Sequence, residues 1–276
     1  MKKASGETEQ YDPNKVIRSC VNAGLSEGEA RRVEEEARRS LYGGITTKEI
    51  YAHVRSALER VKREASIRYG LKKAIMRLGP AGFTFETYFA EILKNCGYVA
   101  QLRRKIRGAC VTHEIDVVAE QTADNGLTRT LVECKYHNAP GIFTGLKEAL
   151  YTYARFLDLN EGNKLGLCES FDHVWLVSNT KCSEDAQTYC NCRKIRLIAW
   201  NYPPNNGLER MIEAKNLYPL TILESVSPRT LMHFARAELV LVNDVKAFST
   251  YELRKRTRLS RHVLDKVKEE AARIGS

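Results

Sequence analysis

The chain has 276 residues, of which 43% are hydrophobic and 28% charged, the composition of a soluble globular protein with room for one large or two to three small domains. No apolar run approaches the roughly 20 residues that span a bilayer, and the opening MKKASGETEQYD lacks the apolar segment of a signal peptide, so a cytoplasmic protein without a membrane partner is expected. Lys and Arg number 44 against 34 Asp and Glu, a formal charge of +10, which favours a polyanionic partner such as nucleic acid or nucleotide.

The first block, to about Pro80, reads as mainly helical. DPNKVIRSCVNAGL opens with Asp12 as an N-cap and Pro13 at the first helical position. SEGEARRVEEEARRSLYGG begins at Ser26, has Glu29 in a capping-box position, and is expected to stop at Gly43 and Gly44. TTKEIYAHVRSALERV also has a Thr start, with an apolar stripe of Ile50, Val54 and Leu58. ASIRYGLKKAIMRLG is expected to run to Gly79 and Pro80.

From Phe83 the pattern becomes helix, three strands, helix, strand, helix, strand. FETYFAEILKNC is amphipathic; VAQLRRKIRG, THEIDVVAE and RTLVECKYH alternate or are β-rich; TGLKEALYTYARFL is a helix; DHVWLVSN and IRLIAW are buried strands. This order predicts a mixed α/β layer fold. After NYPPNNG the chain turns helical again, ending in two short helices joined at RLS. Of the eight cysteines, Cys20, Cys96, Cys110, Cys134 and Cys168 lie in apolar runs and read as buried reduced thiols. Cys182, Cys190 and Cys192 contain no CxxC pair, which argues against a zinc site.

The chemistry is concentrated in LVECKYH. In a strand Glu133 and Lys135 share one face, across Cys134. Alone, such a pair is a weak surface ion pair; its neighbour changes the reading. HEIDVVAE supplies Asp116, and if TADNGLT turns the two strands into an antiparallel hairpin, Asp116 and Glu133 come close enough to share a divalent cation beside Lys135. Two such carboxylates repel one another, and magnesium would relieve that repulsion while orienting a water toward a phosphodiester. A lysine amine beside it can position or deprotonate the water and counter the charge developing at phosphorus.

These residues, in this order of elements, resemble the PD-(D/E)xK nuclease superfamily and, within it, the Mrr-like branch of restriction endonucleases. The match comprises Asp116 in HEID, Glu133 and Lys135 in ECK, and Glu86 in FTFETYFAEIL, and covers roughly residues 82–200. The resemblance implies an αβββαβ core, metal ligation by Asp116 and Glu133 with Mg2+ or its substitute Mn2+, water activation by Lys135, and support from Glu86, for which Glu91 is the competing choice. Mrr-like enzymes often carry a Gln and a Tyr four residues apart on the following helix; Lys147 and Tyr151 hold that spacing here, so the Tyr agrees and the Gln does not. His137 and Asn138, directly after the motif, either reach the DNA backbone or a metal-bound water, or simply satisfy a turn.

The first block resembles an ATP-cone, a small regulatory nucleotide-binding domain, through KASGETEQYDPNKV, ITTKEIYAHV and ASIRYGL. The resemblance implies a helical domain with a small sheet, ATP or dATP as regulatory ligand, phosphates near Lys3 and Lys15, and base or ribose contacts from Glu9, Asp12 and Thr47. It also implies oligomer formation through this domain. Here the first strand is short and Ala4 stands where a second basic residue is common, two departures from the family pattern. No GxxxxGK[ST] motif is present, so sensing is expected and not ATP hydrolysis.

The expected organisation is therefore an ATP-cone at 1–80, an endonuclease-like domain at 81–202 and a helical C-terminal region at 203–276. In that last region Arg254, Lys255, Arg256, Arg258 and Arg261 form either a DNA-phosphate contact or a solvated basic face. The leading expectation is a nucleotide-regulated, magnesium-dependent DNA endonuclease serving restriction, phage defence or DNA repair. The alternatives are a non-catalytic ATP-cone regulator that binds DNA, and a nuclease for junctions or damaged DNA.

Overall fold

A computed structural model of the chain describes residues 1, 8–79, 85–123, 126–139 and 141–274. It divides into two units, Met1–Lys73 with Ala272–Ser276, and Ala74–Ala271. The expected domain boundary at 80/81 lies outside the described residues.

The first unit is built on α1 (Pro13–Asn22), α2 (Glu27–Arg38), α3 (Thr47–Val61) and most of α4 (Arg63–Ile75). Asp12 caps α1 by accepting from the Asn14 amide at 2.9 Å. Capping boxes at Ser26 with Glu29 and at Thr46 with Glu49 start α2 and α3, each satisfying orphan amides of the first turn. Cys20, Val33, Val54 and Leu58 meet in the core. Of the short first strand expected at Met1, Lys2 and Lys3, the two lysines lie outside the described residues.

Two helix ends differ from expectation. Helix α2 stops at Arg38 and not at the glycines, because the Ser40 and Leu41 amides fold back on the Ala37 and Arg38 carbonyls at 3.1 Å. That tight turn brings Leu41 onto the core, and burial outweighs the local glycine signal. Helix α4 ends at Ile75, short of Gly79; beyond it the Arg77 guanidinium donates to the Thr221 and Val226 carbonyls, both at 3.0 Å.

The second unit follows the expected order: α5 (Phe85–Asn95), β1 (Val99–Arg107), β2 (Thr112–Ala123), β3 (Gly126–Lys135), α6 (Leu146–Lys164), β4 (His173–Ser178), α7 (Glu184–Arg193) and β5 (Arg196–Ile198). The strands form a single sheet in the order β1-β2-β3-β4-β5. The first three are antiparallel and the last three parallel, giving a mixed sheet in an α/β unit. Ala149 and Leu159 of α6, and Ala186 and Cys190 of α7, pack on Ile115, Leu131, Leu176 and Leu197 of the strands.

Helix α6 runs seven residues beyond Leu157, where its expected segment closed. Gly162 explains the extension, for a Cβ there would lie 2.8 Å from the Gly108 backbone, so the missing side chain lets the β1–β2 turn sit on the helix. Asp158 ties the same turn down, accepting from the Cys110 amide at 2.7 Å and meeting His113 Nε2 at 2.7 Å. Hydrogen bonds from that amide lead the causes that hold the Asp158 carboxyl well below the usual range.

The remaining helices are α8 (Leu208–Ala214), α9 (Pro228–Arg236), α10 (Val242–Ala247), α11 (Thr250–Thr257) and α12 (Arg261–Ala272). From residue 203 to Ala271 the chain lies within the second unit. All eight cysteines are free. Of the cysteines expected to be buried, Cys20 is buried, Cys96, Cys134 and Cys168 are half-buried, and Cys110 is exposed because it lies in the β1–β2 turn. Among the described residues no helix is long and apolar enough to cross a membrane.

Candidate functional site

Strand β3 is the middle strand of the sheet, which explains the buried run Leu131–Val132–Glu133. Glu133 is only 2% exposed, and a carboxylate at that depth requires charged partners. It has two. Lys135 Nζ donates to Oε1 at 2.5 Å, and Arg155 Nη1 donates to Oε2.

Arg155 projects from α6 and is 6% exposed. Its Nη2 donates to the Glu114 carbonyl, while its Nε finds no acceptor among the described residues. The Tyr151 ring, one helical turn earlier, lies 5.2 Å from the Arg155 guanidinium carbon and 5.5 Å from Lys135 Nζ, within cation–π range of both. Sequence reasoning did not single out Arg155. Its signal was an arginine spaced with Thr152 and Leu159 on the buried stripe of α6.

The hairpin register brings Asp116 beside Glu133: Val117 pairs with Val132, and the next residues outward are Asp116 and Glu133. Asp116 Oδ2 accepts from the Cys134 amide at 2.7 Å. Burial, and then the negative charges of Glu133 and Glu86, push the Asp116 carboxyl up to about 6, against the Cys134 amide and the Lys135 charge. On the other side of β2, Leu102 pairs with Val117 and Arg104 with Ile115, and Arg103 between them has φ 51°. A left-handed arginine inside β1, opposite Asp116, costs about 1 kcal/mol or more.

Glu86 comes from the first turn of α5. Its charge is felt at Asp116, yet its Oε1 accepts from Arg103 Nε at 2.5 Å, so the structure sets it behind an arginine. Glu91, the competing carboxylate, pairs with Lys94 of its own helix at 2.7 Å. Lys147 is exposed and makes no ion pair or hydrogen bond among the described residues. His137 takes the turn role: its amide donates to Asn179 Oδ1 at 2.8 Å, its carbonyl accepts from Asn179 Nδ2 at 2.8 Å, and Nε2 lies 3.0 Å from Thr144 Oγ1. Burial lowers its imidazole pKa.

The donor set fits a hard cation in kind. Among the described residues no group of three or more His, Cys, Asp and Glu side chains is gathered to hold a metal ion. Magnesium, however, is typically held by one or two carboxylates together with waters and substrate phosphate. Asp116 and Glu133 are two neighbouring carboxylates of that chemical kind, and the Asp116 carboxyl is raised first by burial and then by the charge of Glu133.

In the first unit, Lys15 Nζ pairs with Glu9 Oε1 at 2.5 Å, Asp12 caps α1, and Thr47 is the half-buried first residue of α3. Lys3 lies outside the described residues. An open groove of about 650 Å³ beside α1 and α2 is lined by Asp12, Asn14, Ile17, Arg18 and Glu27 among others. Lys15, Glu9 and Thr47 do not border it.

At the α11–α12 junction all five basic residues are exposed. Arg256 stacks 4.1 Å from the Phe248 ring centre and Arg261 pairs with Asp265 at 3.5 Å. The side chains of Arg254, Lys255 and Arg258 have no partner among the described residues.

No protein-family model matches the chain. An uncharacterized protein of Archaeoglobus fulgidus is 41% identical over 165 residues, which span 60% of this chain and 87% of that protein. The crystal structure of AF1548, a protein of unknown function, is similar at 40% identity and a TM-score of 0.58, over 68% of this chain and 95% of that one. The MspJI restriction endonuclease in complex with a 27-mer oligonucleotide is 12% identical at a TM-score of 0.28, over 73% of this chain and 46% of that one, a likeness too slight to bear on fold or function.

Proposed function

The chain belongs to the family of the uncharacterized Archaeoglobus fulgidus protein, and from the geometry of its site we propose that it is a magnesium-dependent DNA endonuclease regulated by an adenine nucleotide. The observation that carries this reading is the juxtaposition of Asp116 and Glu133 at the end of the β2–β3 ladder, with Lys135 Nζ 2.5 Å from Glu133. The order α5-β1-β2-β3-α6-β4 around it is the order that the PD-(D/E)xK resemblance implies.

Asp116 and Glu133 would hold Mg2+, or Mn2+ in its place. Such an ion, when bound, polarises phosphoryl oxygens and makes a water more acidic. Lys135, as an ammonium, would position the attacking water and offset the charge that develops at phosphorus. Glu86, with Arg103 against it, adds to the negative field around Asp116. Arg254, Lys255 and Arg258 supply salt-sensitive contacts to DNA phosphates. Lys15, Glu9, Asp12 and Thr47, with Lys3, would bind ATP or dATP, and the nucleotide would act through conformation or assembly of the chain, which requires different affinities for two states.

The test is incubation of the purified full chain with supercoiled plasmid and with single-stranded DNA, with and without Mg2+, ATP and dATP. Cleavage that needs Mg2+ and changes with nucleotide is expected. Intact DNA of both kinds with Mg2+ and with Mn2+ would overturn the nuclease reading, and cleavage indifferent to nucleotide would remove its regulatory half.

A further inference from the structure

Glu133 is held by two cations that are themselves held to very different degrees. From that difference we propose that Arg155 is the fixed positioning residue of the carboxylate site, and that Lys135 is a placeholder which leaves Glu133 when a divalent cation binds. The inference rests on the metal-binding reading of Asp116 and Glu133.

Arg155 is anchored from two strands at once. One guanidinium nitrogen donates to Glu133 of β3 and another to the Glu114 carbonyl of β2. With 6% exposure and a buried Nε that has no acceptor among the described residues, the group has no solvent to retreat into. Withdrawing it from Glu133 would strand a charge in the interior. Its planar fork also fixes the direction of the Glu133 carboxylate, since both anchors must be met together.

Lys135 has none of these restraints. Its side chain is 29% exposed, its ammonium has one acceptor among the described residues, Glu133 Oε1 at 2.5 Å, and its four-carbon stem can swing the charge into water. The ammonium lies beside Glu133 and acts electrostatically on Asp116 as well. It therefore stands, in charge, for a cation shared by the two carboxylates.

The consequence is a coupled exchange. Lys135 gives up Oε1 to an incoming divalent cation, and its three N–H donors become available to a phosphate oxygen or a water. Arg155 keeps Oε2 throughout, so the carboxylate does not rotate. Metal binding and the release of Lys135 for chemistry are then one event.

Mn2+ titration of the full chain by calorimetry, without DNA, tests this. Lys135→Met should bind Mn2+ on the order of tenfold more tightly than wild type, because a competing charge is gone. Arg155→Met should bind it on the order of tenfold more weakly, as for other outer groups that orient a ligand. A second measurement needs no variant to fold: in 15N-labelled wild-type protein, Mg2+ should alter the Lys135 ammonium signal and leave the Arg155 guanidinium signals in place.

Lys135→Met that binds no more tightly than wild type, or an Arg155 signal that moves while that of Lys135 does not, would overturn the assignment. Wild-type Mn2+ binding with no contrast between the variants defeats this inference and leaves the metal reading standing. Absence of Mn2+ binding in all three proteins defeats both.

Discussion

Glu133 and Arg155 meet in the interior of the second unit, a carboxylate from the middle strand of the sheet against a guanidinium from α6, both more than nine-tenths buried. Each is the reason the other can be there. In an interior of low effective dielectric either charge alone costs several kcal/mol, and the pair, with Lys135 and the Glu114 carbonyl completing it, removes most of that cost.

Removing Glu133 should therefore weaken the fold. Considered only as relief of repulsion with Asp116, Glu133→Gln would be neutral or stabilising. The arginine reverses that sign, because the substitution leaves a buried guanidinium without its counter-charge, a loss of about 3–5 kcal/mol. Chemical denaturation of Glu133→Gln should show this, and a midpoint equal to that of wild type would mean that Arg155 finds another partner.

Asp116 gives a pH dependence of defined sign. Its carboxyl titrates at about 6 in the folded protein, raised first by burial and then by the charge of Glu133, against roughly 3.9 in an unfolded chain. Between those values the folded state binds the extra proton, so this group's contribution is most favourable below about pH 4 and is lost as pH rises through about 6. The whole effect is up to about 3 kcal/mol. With divalent metal chelated, Asp116→Asn should gain stability over wild type as pH rises from 4 to 7; a constant difference across that range would contradict the assignment.

Tyr136 links the end of β3 to the segment after α4. Its hydroxyl donates to the Met76 carbonyl at 2.7 Å and accepts from the Gly79 amide at 3.0 Å. Tyr136→Phe leaves both backbone groups without that partner and should cost about 1–3 kcal/mol. Thermal unfolding measures it, and an unchanged midpoint would show that water replaces the hydroxyl without loss.

What the sequence made legible follows from the range of the interactions involved. The caps at Asp12, Ser26 and Thr46 are local, and so is the period of two that sets Glu133 and Lys135 two residues apart on β3. The adjacency of Asp116 and Glu133 needed only one further assumption, a hairpin through the turn between β2 and β3. Arg155 shares the buried stripe of α6 with Thr152 and Leu159, but that spacing marks a buried face and not the strand carboxylate the face meets, which is decided only when the helix docks. The end of α2 departs from expectation for the same reason, since Gly43 and Gly44 are local stop signals while the burial of Leu41 is decided by the core. The setting of Glu86 behind Arg103 depends on a left-handed residue within β1, and arginine carries no sign of that conformation.

The most direct test of the central claim is single-turnover cleavage of a labelled DNA duplex at saturating Mg2+, comparing wild type with Asp116→Asn and Lys135→Ala. A water-positioning and charge-stabilising role for Lys135 predicts a chemical step slower by about 10²–10³-fold in Lys135→Ala, and Asp116→Asn should give no cleavage above the protein-free blank. Wild-type rates in both variants, or a wild-type protein that leaves the duplex intact, would contradict it.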